Sequence, residues 1–213
     1  MGQAKHISVH DQIAAQYDQL AHEYQSYGHD LLFGMSFEYL TPGDNLLDLG
    51  IGTGLASQSF AQAGINIFGC DGSAEMLKVC AAKGFTQELQ QVDIEKTPLP
   101  YPDSSFDHVL CCGVLHFFDN LDVIVQEVQR INKPGGTFSF TVAETTDVPE
   151  AGYVEAPTAW EVSLFRHCTG YLTDLLHTNH FDILKAQRFL TKGEEHEEDI
   201  LFTGYITRKS NTM

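Results

Sequence analysis

The stretch Asn45-Leu46-Leu47-Asp48-Leu49-Gly50-Ile51-Gly52-Thr53-Gly54 decides the fold. Residues 45–50 read as a short apolar strand, and it runs straight into a turn with glycine at 50, 52 and 54. Glycine there permits unusual φ and lets a ligand approach the backbone closely. A dinucleotide loop of the GxGxxG kind needs its third glycine at 55, where Leu55 stands. Asp48 points the same way, because a carboxylate beside the loop repels a pyrophosphate and suits a ligand carrying an ammonium group. The ligand expected is therefore a nucleoside joined to something cationic.

Beyond this loop the chain alternates. A helix over 55–64 closes at Gly64, INIFGC (65–70) reads as a strand, and a helix over 73–84 is capped by Ser73 and closed by Gly84. ELQQVD (88–93) is a weaker strand, and a proline-containing loop separates it from the strand FDHVLCC (106–112). A helix over 121–131, a Lys133-Pro134-Gly135-Gly136 turn and the strand TFSFTVA (137–143) complete the pattern. Strands alternating with ten-residue helices predict a parallel sheet covered by helices on both faces. Farther on, 144–158 reads as a loop and 159–178 as helix. Strands over 181–190 and 199–208 then form an antiparallel pair at one sheet edge, joined by the acidic run 193–199. Upstream, Ile13, Ala14, Tyr17, Leu20, Ala21 and Tyr24 make one helical stripe over 11–27, and a second helix covers about 30–40. The fold expected is α/β: one doubly wound Rossmann-like domain with a mostly parallel seven-stranded sheet and an antiparallel edge strand. It divides into an N-terminal helical lid (1–40), a cofactor-binding core (41–143) and a substrate-side insertion with the C-terminal strands (144–213).

The 213 residues carry 12 Lys and Arg against 29 Asp and Glu, a formal net charge of −17. Nucleic-acid affinity rests largely on basic residues neutralising phosphates, so DNA and RNA are poor partners for such a chain. An anionic membrane surface is disfavoured for the same reason. Aromatic residues, 11% of the chain, supply apolar surface enough to fold it despite the charge. The first ten residues are polar and resemble no signal peptide, and no apolar run approaches the ~18 residues of a membrane span. A cytoplasmic protein without membrane insertion is expected, its five cysteines free. Cys111 and Cys112 are adjacent on a strand and point to opposite faces, which makes them poor metal ligands, so no metal is expected.

Two further acids end strands on the same edge as the glycine loop. Asp71 stands where doubly wound folds grip a ribose diol, and Asp93 could accept from an exocyclic amine. With these acids, LLDLGIGTG, CDGSAEML, QQVDIEKTPLPYPDSSFDHVLCCGVLHFF and KPGG together resemble the class I S-adenosylmethionine-dependent methyltransferases. The likeness is to the type 11 subgroup, which includes the ubiquinone and menaquinone biosynthesis enzymes. It covers about residues 10–143.

The resemblance implies S-adenosyl-L-methionine as cofactor and assigns roles by position. Gly50, Gly52 and Gly54 would border its methionine and ribose parts, with Asp48 near the amino end. Asp71, followed by Gly72, would hold the ribose hydroxyls, and Asp93 with the Ile94 backbone N–H would hold adenine. Met76 would pack against the adenine or ribose face, or serve as plain core. Cys112 and Gly113 would line the pocket beside the sulfonium. Tyr17 and Tyr24 belong to a segment similar to the family's lid.

Methyl transfer from a sulfonium is an in-line displacement, so alignment and exclusion of water come first. A general base is needed only where the acceptor must lose a proton. His116, just after the fourth strand, is the catalytic candidate, with a ring packed near the cofactor as its alternative. His167 and Tyr171 are weaker candidates for the acceptor pocket, as is His22 on the lid. The region 144–180 is too short for a large protein-docking module, which favours a small-molecule acceptor. The alternatives are a protein methyltransferase and a non-catalytic S-adenosylmethionine-binding protein of the same fold.

Overall fold

The computed structural model describes residues 3–147, 149–157, 162–192 and 199–211. Strand β1 (Asn45–Leu49) lies at the centre of a sheet between β2 (Asn66–Asp71) and β4 (Phe106–Cys111), both parallel to it. β3 (Thr86–Gln91) extends the parallel run beyond β2, and β5 (Asn132–Thr145) extends it beyond β4. Past β5 come β9 (Ile200–Lys209), antiparallel to β5, and then β8 (Phe181–Thr191), antiparallel to β9. These are the seven strands expected, with the one that runs against the rest next to the edge rather than on it.

Among the described residues, two further strands bring the sheet to nine. β6 (Tyr153–Pro157) and β7 (Ser163–Cys168) form an antiparallel pair, and β7 joins the far end of β5 through Glu144 opposite His167 and Thr145 opposite Cys168. This corrects the expectation of a helix over 159–178. Ser163–Cys168 is extended because it pairs along its length with β6 and at its end with the overhanging end of β5, and helix α7 starts only at Thr169 (Thr169–Thr178). Residues 158–161, and residues 193–198 of the acidic run, lie outside the described residues. The KPGG segment is likewise part of β5 rather than a separate turn.

The apolar runs explain why the sheet is covered on both faces. Leu46, Ile67 and Leu110 point to one face, against Leu32 of α3 (Gly28–Ser36), Phe60 of α4 (Gln58–Gln62) and Cys80 of α5 (Ala74–Lys83). Leu47, Leu49, Val109 and Phe138 point to the other, against α6 (Asp122–Ile131) and α7. Central parallel strands buried on both faces read as unbroken hydrophobic stretches for this reason. Cys111 falls in one of these cores and Cys112 against the other, the opposite-face arrangement expected of neighbours on a strand.

The N-terminal helix differs from expectation. It begins at Gln3 as α1 (Gln3–Ile13), breaks into a 3-10 turn at 14–16 and resumes as α2 (Tyr17–Glu23). α1 and α2 lie across the carboxyl ends of β1, β2 and β4, and they close the site.

Candidate active site

The site is built at the carboxyl ends of the central strands, where open α/β sheets bind their ligands. The backbone leaves β1 and turns at once, with the Gly50 and Ile51 N–H groups donating to the Cys70 carbonyl at 2.8 and 3.0 Å. Gly52 sits at φ +55°, in the left-handed region, and a side chain there would project into open space. Gly54, at φ +82°, is needed for a different reason: a Cβ would lie 2.8 Å from the Cys80 sulfur and 2.7 Å from the Phe85 ring.

Asp71, ending β2, faces this loop. Its Oδ2 accepts from the Gly52 N–H at 2.9 Å and its Oδ1 from the Ser73 N–H at 2.8 Å. Each carboxylate oxygen has a further lone pair to offer. Burial raises its pKa, against the pull of those two hydrogen bonds. Asp48 lies behind the loop, 1% exposed; the Ser57 hydroxyl donates to its Oδ2, and its Oδ1 has no partner among the described residues. Burial pushes the Asp48 carboxyl up to about 7.

Two adjoining cavities open around these groups. The first, of about 80 Å³, is lined by Gly50, Gly52, Asp71, Gly72, Met76, Asp93, Ile94 and, from the lid, His6, Ile7 and His10. The second, of about 290 Å³, is largely apolar and is walled by Ile13, Leu20, Tyr24, His116, Leu164, Phe189 and Phe202. His10, Tyr17, Cys112, Gly113 and Phe117 line both. The lid is fastened over them by acids: Asp11 accepts from the Ser73 hydroxyl, and Asp18 accepts from the Thr53 hydroxyl and pairs with Lys83.

Of the residues singled out from sequence, Tyr17, Gly50, Gly52, Asp71, Gly72, Met76, Asp93, Ile94, Cys112 and Gly113 all line the first cavity. Tyr24 lines only the second, and Gly54 and Asp48 line neither. His116 lines the second cavity, with its ring centroid 4.2 Å from Phe117 and 5.3 Å from Phe202. Burial pushes its pKa down to about 3, so the ring is neutral, and its Nδ1 has no partner among the described residues. His167 and Tyr171 line neither cavity: His167 Nε2 donates to the Phe118 carbonyl at 3.0 Å and the two rings stack. His22 is exposed against Tyr27. Sequence reasoning missed His6, Ile7 and His10. Their i, i+1, i+4 spacing is a helical signal, hidden because the apolar stripe marks the helix only from residue 11.

The arrangement suits a nucleoside with a cationic tail: an acid clamped by backbone N–H groups faces a cavity with a second acid, Asp93, in its wall. Such a glycine loop on a doubly wound sheet defines a nucleoside-binding class of α/β protein. Residues 47–140 match the family model described as "Methyltransferase domain". The match is to a methyltransferase domain, the kind of protein that the motifs of this segment resemble.

Among relatives, the demethylmenaquinone methyltransferase of Renibacterium salmoninarum is 30% identical over 59% of this chain and 56% of its own length. The malonyl-acyl-carrier-protein O-methyltransferase of Serratia marcescens is 30% identical over 78% of this chain and 61% of its own. The chain thus spans less than two thirds of either relative. Among solved structures, the 1,6-didemethyltoxoflavin-N1-methyltransferase of Burkholderia thailandensis, with its substrate and S-adenosylhomocysteine bound, superposes with a TM-score of 0.72. It covers 99% of this chain and 91% of that one at 16% identity, a likeness of fold. No helix among the described residues is long and apolar enough to cross a membrane.

Proposed function

We propose that the chain is an S-adenosylmethionine-dependent methyltransferase acting on a small molecule with an apolar body. The observation that carries this is the pair of cavities sharing one wall, one lined by the acids Asp71 and Asp93 and the other lined by no acid among the described residues. The cofactor supplies an electrophilic methyl group on a sulfonium. The first cavity holds it, with Asp71 accepting from the ribose hydroxyls and Asp93 and the Ile94 N–H facing adenine. Gly50 and Gly52 let the backbone come close to it, while Gly54 and the buried Asp48 shape the turn behind them. Cys112, Gly113 and Tyr17 flank the passage through which the methyl group crosses, and Tyr24 belongs to the acceptor side. His116, neutral, orients the acceptor by hydrogen bonding. The lid over the second cavity favours a small acceptor over a protein one, since the apolar walls include Leu20 and Ile13 of the lid itself.

Calorimetry on the full chain tests the cofactor: heat with S-adenosylmethionine and S-adenosylhomocysteine and none with NAD is expected. Transfer of labelled methyl to a metabolite fraction tests the acceptor. Label confined to the protein fraction would overturn the small-molecule reading, and cofactor binding with no label in either fraction would overturn the enzyme.

A further inference from the structure

We infer that His10, on the lid helix α1, is the catalytic base that takes the proton from the methyl acceptor. The inference rests on the methyltransferase reading above and adds to it the class of acceptor atom, one bearing an O–H or N–H proton.

Position singles out His10. Among the described residues, five line both cavities, and the transferred methyl group must pass among them. Gly113 and Phe117 carry no titrating group. Burial raises the Tyr17 phenol, and it pushes the Cys112 thiol up to about 12, so both keep their protons at neutral pH. His10 is the remaining member of the shared wall. Two other histidines stand nearby, each on one cavity only. Burial pushes His6 down to about 4 and His116 to about 3, which leaves both weak as bases.

The helix backbone fixes the tautomer. His10 Nδ1 lies 2.7 Å from the His6 carbonyl oxygen, one helical turn back. A carbonyl only accepts, so Nδ1 carries the hydrogen and the lone pair of the neutral ring is on Nε2. The His6 backbone thus selects which nitrogen can receive a proton. The groups that bear on the charge of His10 are His6 on its own helix, Tyr17 beyond the 3-10 turn, Asp71 at the end of β2, and His116 after β4.

In the transfer itself, the acceptor's oxygen or nitrogen lone pair bonds to the methyl carbon as the carbon–sulfur bond breaks, and sulfur keeps that pair. The acceptor's proton moves to His10 Nε2 and from there to solvent when the lid opens.

Two measurements on the full chain test this. Long-range nitrogen–proton spectra of the S-adenosylhomocysteine complex, assigned with His10→Gln, are expected to show His10 protonated on Nδ1 and bare at Nε2 near neutral pH. A His10 ring carrying its proton on Nε2 overturns the proposal. In labelled-methyl transfer to the metabolite fraction, His10→Gln is expected to cost ~10²–10⁴-fold in rate. It should also abolish the rise of rate with pH while keeping affinity for S-adenosylhomocysteine within about threefold. A variant that loses rate and affinity together, with the wild-type pH profile intact, overturns the assignment of a base and makes His10 a lid contact. Wild-type chain that neither binds S-adenosylhomocysteine nor transfers label overturns this inference and the methyltransferase reading together, which separates the two failures.

Discussion

The Asp18 carboxylate of α2 lies 2.6 Å from the Lys83 ammonium at the end of α5, and its other oxygen accepts from the Thr53 hydroxyl of the glycine loop. One lid residue therefore holds both the loop and the helix after β2. An exposed ion pair contributes only ~0.2–1 kcal/mol, but a hydrogen bond to a charged group adds ~1.5–3 kcal/mol. Asp18→Ala is expected to loosen the lid without unfolding the sheet. Dissociation of S-adenosylhomocysteine should accelerate by about tenfold, the effect of ~1.4 kcal/mol. Rapid-mixing displacement measures it, and limited proteolysis should show earlier cleavage within 3–27.

Asp71 shapes the first cavity because its two oxygens already hold the Gly52 and Ser73 N–H groups. Asp71→Asn keeps the shape and replaces one acceptor oxygen with a donor, which faces a backbone N–H or the ribose. Leaving such groups unpaired costs ~1–3 kcal/mol each. The expected outcome in calorimetry is a loss of affinity for S-adenosylhomocysteine of about 100-fold, with thermal stability of the free chain changed far less.

The lining of the first cavity was legible in part because several of its residues end parallel strands. LLDL and VLCC are buried on both faces and so read as strands, and the residues after each must lie at the carboxyl edge. That logic reaches Asp71, Asp93 and Cys112 without any knowledge of contacts. It fails for α1, whose sequence is polar and whose position depends on Asp11 reaching Ser73 across 62 residues. His10 was lost with it. It fails also for β7, where SLFRHC becomes a strand by pairing with β6 and with the end of β5, pairings that the local sequence pattern does not show. Asp48 shows the opposite error: its place beside the loop was right in sequence, yet the pleat turns its side chain to Ser57, behind the cavity lining.

Asp48 makes a prediction about pH. Its carboxyl is pushed up from 3.8 to about 7 by burial, so the folded chain holds a proton that the unfolded chain releases across that interval. Stability contributed by the protonated form is full below about pH 4 and is lost as pH rises through about 7. Asp48→Asn carries no titrating group. Its melting temperature relative to wild type should therefore rise between pH 5 and pH 8, by about 5–10 °C. Scanning calorimetry of the free chain checks this, and a gap that stays constant over that range would mean that Asp48 is not a buried acid.

Glu144, at the end of β5, ties together the elements beside the second cavity. It is 4% exposed and accepts from Arg188 of β8 at 2.9 and 3.0 Å, and from the Thr169 and Thr203 hydroxyls. Those partners sit on β8, at the start of α7 and on β9, next to Phe202 in the wall of the second cavity. Burial alone would raise this carboxyl, but the bonds from Arg188, Thr169 and Thr203 outweigh it and hold the group at about 2, below the usual 4.5. The stability it confers is present above about pH 4.5 and drains away as pH falls toward 2. Glu144→Gln keeps the volume but turns one acceptor into a donor facing donors, which should cost ~2–4 kcal/mol near neutral pH. Urea titrations should show that difference shrinking as the pH is lowered from 7 to 3, since wild type loses the same interaction by protonation. Because the cavity wall hangs on this carboxylate, the variant should lose methyl transfer while still binding S-adenosylhomocysteine through the untouched edge of β1, β2 and β4.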